Sequence, residues 1–223
     1  DDLCASCGFR QGPFNLYDGR KQCEVCSNRV VFSEHIDAQS QIAIKLLEEY
    51  HFSDFYHSVN SVEILDSKAM KWKLGLFNPI EPHGLCVQDI EYKNPFGFFF
   101  KGEIENITCD IYMLDYLHEL DFRAILAHEY IHAWMMIHNV YDYYELEYGL
   151  SFTEGIAELG SYLVYLTDKS YFGEHSLYNH INNEDPIYGD GYRKMKKCLD
   201  KHGWENLTEK ILNKDSFPCF ESN

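Results

Sequence analysis

His128, Glu129 and His132 occur in the run Ala127-His-Glu-Tyr-Ile-His-Ala-Trp134. Residues four apart on an α-helix lie one above the other on the same face, so His128 and His132 can aim both imidazoles at one metal ion. Glu129 projects about 100° further round the same turn. From there it is badly placed as a third ligand, but it can reach a water beside the ion and take its proton. Two His ligands and a Glu general base at this spacing are the equipment of metal-assisted hydrolysis. The residues around the pattern read as a helix from Leu120 to His138, free of Gly and Pro, with Phe122, Ile125, Leu126, Ile131, Trp134 and Met135 at helical spacing. Asp121 or Asp115 is the expected cap at its start. The bland alternative is a core helix with two incidentally spaced histidines.

A catalytic zinc needs three protein ligands and one open position. In the gluzincin branch of such enzymes the third ligand is a Glu on a helix downstream. Leu150 to Thr167 reads as that helix, and it carries Thr153-Glu-Gly-Ile-Ala-Glu158. Glu154 is the preferred ligand, with Gly155 beside it leaving room for close helix approach. Glu158, one turn on, is either the alternative ligand or a group that orients an imidazole. Ser151-Phe-Thr-Glu154 also reads as a capping box, which would occupy Glu154 differently. The sequence after His132 lacks the third His of the metzincin pattern.

Cys4, Cys7, Cys23 and Cys26 follow C-x2-C-x15-C-x2-C, the spacing of a structural zinc held by four thiolates. Gly12-Pro13 and Asp18-Gly19 lie between the pairs and suit short hairpins. So small a segment has little core, and a metal would supply its folding energy. Two disulfides or redox pairs are the alternatives, and no βαβ pattern surrounds either pair to favour redox chemistry.

The elements that must position these groups can be followed along the chain. The cysteine module spans residues 1–32 and a main domain residues 33–223. A helix from Ser33, its N-cap, to about Tyr50 joins the two. Strands are expected at Val62–Leu65, Leu85–Tyr92 (punctuated by Asn94-Pro95) and Ile104–Met113. The last of these immediately precedes the metal-site helix, where an edge strand could pair with a substrate backbone. Asn139 to Gly149 reads as a Tyr- and Glu-rich loop. Pro186, Gly189 and Gly191 make a tight loop that leads into a helix from Tyr192 to His202, followed by a final helix from Trp204 to Asn213. Tyr188, Tyr192, His175 and His180 are candidate donors to a developing oxyanion.

Composition narrows the function. With 36 acidic against 19 basic residues the net charge is −17, which disfavours phosphate backbones and anionic lipid, so neither nucleic acid nor membrane is an expected partner. No apolar run approaches the ~20 residues of a bilayer-spanning helix. The start, Asp1-Asp-Leu-Cys4, does not read as a signal peptide, and the chain is expected to be a piece of a longer protein. The paired cysteines suit a reducing compartment, so the expected location is cytoplasmic.

Three stretches together resemble the DA1 peptidase family of plant growth regulators: Ile125-Leu-Ala-His-Glu-Tyr-Ile-His-Ala-Trp134, Glu154-Gly-Ile156, and Pro186-Ile-Tyr-Gly-Asp-Gly-Tyr-Arg193 with Lys201-His-Gly203 and Phe217-Pro218. They span the second half of the chain in the family's order. The resemblance implies an α+β, zincin-like fold of gluzincin type behind a LIM-like Cys4 module. It implies His128, His132 and Glu154 as ligands of a catalytic zinc and Glu129 as general base; Tyr188 matches the tyrosine of the family's loop, and its catalytic role is expected from its place there as a candidate oxyanion donor. A second, structural zinc would sit on Cys4, Cys7, Cys23 and Cys26. The chain departs from the family in carrying four front-end cysteines where a LIM domain has two mixed Cys/His sites. It also shows no ubiquitin-interacting helix, so ubiquitin-linked partners rest on the resemblance alone. The expected function is peptide-bond hydrolysis in protein or peptide substrates; the competing expectation is a catalytically silent zinc scaffold that binds a protein partner.

Overall fold

The structure is a computed structural model that describes residues 2–8, 10–75, 82–93 and 104–220. Asn94-Pro95 lies outside the described residues. The fold is mixed α+β. The cysteine module opens with an antiparallel hairpin of β1 (Phe14–Asn15) and β2 (Lys21–Gln22), as the turn residues suggest, and closes with a short helix, α1 (Glu24–Ser27). Ser33–His35 then form a 3-10 turn before α2 (Ile36–Glu49). Ser33 therefore does not cap the helix; the Phe32 N–H donates to His35 Nδ1 instead.

A three-stranded sheet follows in the order β3 (Val59–Leu65), β5 (Ile104–Leu114), β4 (Gly84–Tyr92). β3 runs parallel and β4 antiparallel to β5. The strand immediately before the metal-site helix is thus the middle strand, and β4 is the edge strand beside the site. Parallel pairing of β3 with β5 requires a crossover, and α3 (Ser67–Leu74) with β4 lies between them in sequence.

The histidine pair lies on α4 (Glu119–Ile137). Its N-cap is neither expected aspartate. His118 fills that position, with Nδ1 accepting from the Leu120 N–H. Every residue from Leu126 to Met135 is buried, so α4 is a central helix rather than an amphipathic surface one. It packs against α2, the sheet and α6 (Leu150–Thr167). The contact with α6 is close because Gly160 faces the Ala127 carbonyl, where a Cβ would approach to 2.7 Å.

The expected loop at 139–149 contains a helix, α5 (Tyr141–Tyr148). Tyr is an indifferent helix former, but Tyr144 is fully buried and its hydroxyl reaches the carbonyl oxygens of Lys210 and Ile211. Tertiary docking therefore overrides propensity. His175 and His180 ride on α7 (Tyr171–Ile181). The final helix, α8 (Tyr188–Leu212), begins a turn earlier than the Tyr192 start expected and kinks at Gly203, where φ is 73°. Tyr188 therefore sits in the first helical turn rather than in a loop. Gly155 faces Gly191 across the α6–α8 contact, so the close approach expected beside Glu154 is made with α8. A disulfide joins Cys198 to Cys219. Among the described residues no helix is long and apolar enough to cross a membrane.

Candidate metal centre

Two clusters of metal-ligating side chains are present among the described residues: Cys4, Cys7, Cys23, Cys26; and His128, His132, Glu154. In the second, His128 Nε2 and His132 Nε2 are 3.0 Å apart. Glu154 Oε2 lies 3.1 Å from the first and 3.4 Å from the second. Tetrahedral ligands at bonds of ~2.0–2.1 Å would be spaced ~3.3 Å apart, so the three atoms already have the separation of a shared metal. Glu154 Oε2 is buried and makes no hydrogen bond despite these short approaches. A carboxylate oxygen left without a hydrogen bond in a buried site is otherwise costly, and a cation between it and the two imidazole nitrogens would remove the cost. The capping-box alternative fails on position: Gly149 is the N-cap of α6, and Glu154 is turned inwards.

Glu158 stands outside this cluster and contacts the outer nitrogens of two histidines. Its Oε1 lies 3.2 Å from His128 Nδ1, and its Oε2 lies 3.1 Å from His180 Nδ1. The carboxylate thereby fixes the tautomer of His128 and presents Nε2 to the centre. Burial pulls the His128 pKa down, but Glu154 and Glu158 outweigh it and the net position is well above the usual histidine value. Burial likewise opposes ionisation of Glu154, and His132 and His128 more than reverse it, leaving the carboxyl far below the usual range.

Glu129 faces a groove beneath β4 together with His128, Glu158, Ile125 and Tyr188. Burial lifts its pKa, while His128 and His132 oppose that rise and the Cys86 N–H donates to it. A Cβ on Gly84 would come within 2.6 Å of Glu129 Oε1, so the edge strand presses its bare backbone onto the carboxylate.

Of the four expected oxyanion donors, only Tyr188 lines this groove, with its ring 6.4 Å from that of His128. Burial, then Glu154, push its hydroxyl pKa up to about 12, so it remains a donor. Tyr192 is buried against His180, His180 is held by Glu158, and His175 stands beside Asn179 near Gly8. Sequence reasoning missed Tyr141, whose ring lies 5.7 Å from that of His132. No spacing rule links a Tyr nine residues after a metal ligand to that ligand, so only the fold shows it.

The four cysteines are each buried, with sulfur atoms all within 4.8 Å of one another and Cys7 Sγ to Cys23 Sγ at 4.0 Å. Zn–S bonds of ~2.3 Å would space tetrahedral sulfurs by ~3.8 Å. Burial works against the Cys4 thiolate, yet the N–H groups of Cys7 and Cys23 bring its pKa down to about 7. Burial and its sulfur neighbours push Cys26 far up. Four thiols so arranged cannot all ionise without a cation among them, which is the chemistry of a closed metal site.

In comparisons with known proteins, no family model, no curated protein and no solved structure matches the chain.

Proposed function

We propose that this chain is a zinc-dependent peptidase that hydrolyses peptide bonds in protein or peptide substrates. The observation that carries the reading is the convergence of His128, His132 and Glu154 at ligand spacing, with Glu129 beside them in an open groove under an edge strand. The helix-borne two-His and one-Glu set and the adjacent strand support a zincin-like domain of gluzincin type. Zinc suits the nitrogen and oxygen donors of this set and the four thiolates of the other, giving one catalytic and one structural ion. The catalytic ion would supply Lewis acidity to a scissile carbonyl and make a neighbouring water acidic.

The residues divide the remaining work. Glu129 takes the proton of the attacking water on its carboxylate and passes it to the leaving amine. The Cys86 N–H and the His128–Glu158–His180 chain hold Glu129 and His128 in place. Tyr188 donates its hydroxyl proton in a hydrogen bond to the carbonyl oxygen as charge develops there. β4, unpaired on its outer side among the described residues, can accept an extended substrate by main-chain hydrogen bonds.

The test is elemental analysis beside a cleavage assay. Wild type should carry two zincs per chain, and His128→Ala should carry one. Glu129→Gln should keep both and lose about 10²–10⁴-fold in turnover, the usual contribution of a general base. A Glu129→Gln variant that cleaves as fast as the parent sinks the mechanism. One zinc in both wild type and His128→Ala leaves only the cysteine site loaded, and the silent-scaffold reading takes over.

A further inference from the structure

The groove at Glu129 does not end there. It shares His83, Ile125, Glu158 and Ser161 with a second cavity of about 470 Å³. The cysteine module closes the far side of that cavity, and Asp121, Tyr165 and His180 also line it. Asp121, Ile125 and Glu129 stand at i, i+4 and i+8 on one face of α4. Eight residues at ~1.5 Å each place Asp121 about 12 Å along the axis from Glu129.

Asp121 is a carboxylate without a counter-charge. Its hydrogen bond comes from the Tyr165 hydroxyl at 3.3 Å. Among the described residues no ion pair includes it. Arg20, the cation on the same wall, is already held by Asp18 at 2.6 Å and by Asp115 at 3.1 Å. Glu158 already holds one histidine on each of its oxygens. The His180 side chain is only 7% exposed, and with Nδ1 given to Glu158 its Nε2 has no hydrogen-bond partner. Burial lifts the Asp121 carboxyl to about 7, as expected for an acid shielded from water with no cation beside it.

We propose that this cavity is a substrate subsite for a long cationic side chain, arginine or lysine, near the scissile bond, with the Asp121 carboxylate as its counter-charge. The proposal rests on the peptidase reading above and names the substrate class. One or two residues of extended chain, at ~3.3–3.4 Å each, carry a substrate part of the way from Glu129 to Asp121. The long stem of Arg or Lys covers the rest, lying along Ile125 and Leu117 while its head reaches the carboxylate. A short or acidic side chain leaves Asp121 unpaired or opposed. The net charge of −17 favours the same class of substrate at long range.

The test is fluorescence anisotropy with a labelled eight-residue Ala/Ser peptide carrying a single Arg, Leu or Glu, scanned through each position. It is titrated with zinc-loaded Glu129→Gln protein, so that binding is read without cleavage. Arg should bind at least about tenfold tighter than Leu at one position. Adding Asp121→Asn should bring the two within about threefold, and Asp121→Lys should make the Glu peptide the tightest. Equal binding of Arg and Leu at every position overturns the proposal with no substitution needed, and so does an Arg preference that survives Asp121→Asn. The same peptides given to wild-type protein separate the two readings. Selective binding without cleavage sinks the peptidase and leaves the subsite; cleavage indifferent to Arg does the reverse.

Discussion

Glu129 sits in a buried position that raises its pKa, and the neighbouring strand leaves it no freedom to retreat. That makes Gly84 a sharp probe. A methyl group at Gly84 meets the far end of Glu129 and the Ile125 Cγ2 rather than backbone, so the side chains shift and the fold survives. Gly84→Ala should keep two zincs per chain, lower kcat at least about tenfold and move Tm by only a few degrees. A variant with full turnover would show that Glu129 does not depend on its present rotamer. Asp121 gives a second residue-scale expectation. Its folded pKa of about 7 lies above the unfolded ~3.9, so the folded state holds the proton more tightly. Stability from this group is full below about pH 4, declines as pH rises, and is lost above about pH 7. Asp121→Asn escapes the decline. Its advantage over wild type in chemical denaturation should be absent at pH 4 and grow to on the order of 1–2 kcal/mol at pH 8, after discounting for solvent screening. An advantage that does not change with pH would mean that Asp121 titrates normally.

At the scale of elements, the cysteine module does more than fold itself. It grips the segment that launches α4. The Val31 N–H donates to the Leu117 carbonyl, the Glu119 N–H donates to the Arg29 carbonyl, and Gln22 Nε2 donates to the Tyr116 carbonyl. Arg29 pairs with Glu119, and Arg20 with Asp115. The first turn of the helix that carries His128 is therefore anchored by a unit built around four clustered thiols, whose stability would depend on a metal held among them. Cys7→Ser should raise hydrogen exchange at residues 117–123 at least tenfold and weaken zinc binding at the histidine site, although no ligand of that site is touched. Unchanged exchange there would show that α4 stands without the module. This coupling is also where the sequence stopped being legible. The metal helix, the Glu154 helix and the C-x-x-C pairs could be read because their signals are local: helical periodicity, four-residue spacing and tight turns. Strand order could not, because parallel pairing of β3 with β5 makes β4 the edge, and only long-range contacts decide that. The α5 helix was hidden by its tyrosines, whose reason for being helical is the docking of Tyr144. His118 as N-cap and His180 as the second partner of Glu158 depend on where distant chain segments meet, which no spacing within either segment encodes.

For the whole molecule, the −17 charge is readable from composition, but composition does not say where the field is strongest. The fold does. The groove and the cavity beyond it bring Glu129, Glu158 and Asp121 to one continuous cleft, where the one arginine, Arg20, is already paired with Asp18 and Asp115, and low-dielectric walls focus the potential of the acidic excess. A zinc at the histidine end would offset part of that charge and leave the Asp121 end more acidic. A basic substrate should then be drawn towards the cleft and held by a contact that salt weakens. The Debye length falls from ~10 Å at 0.1 M salt to ~3 Å at 1 M, so the long-range part is lost first. For a peptide with three arginines, raising NaCl from about 50 to about 500 mM should increase KM several-fold. In the proposed mechanism the proton transfer at Glu129 is internal, so kcat should stay within about twofold. A peptide with three glutamates should respond in the opposite sense, since salt screens a repulsion. If both peptides show the same small change, the excess charge is spread over the outer surface, and Asp121 would have to account for any preference by direct contact alone.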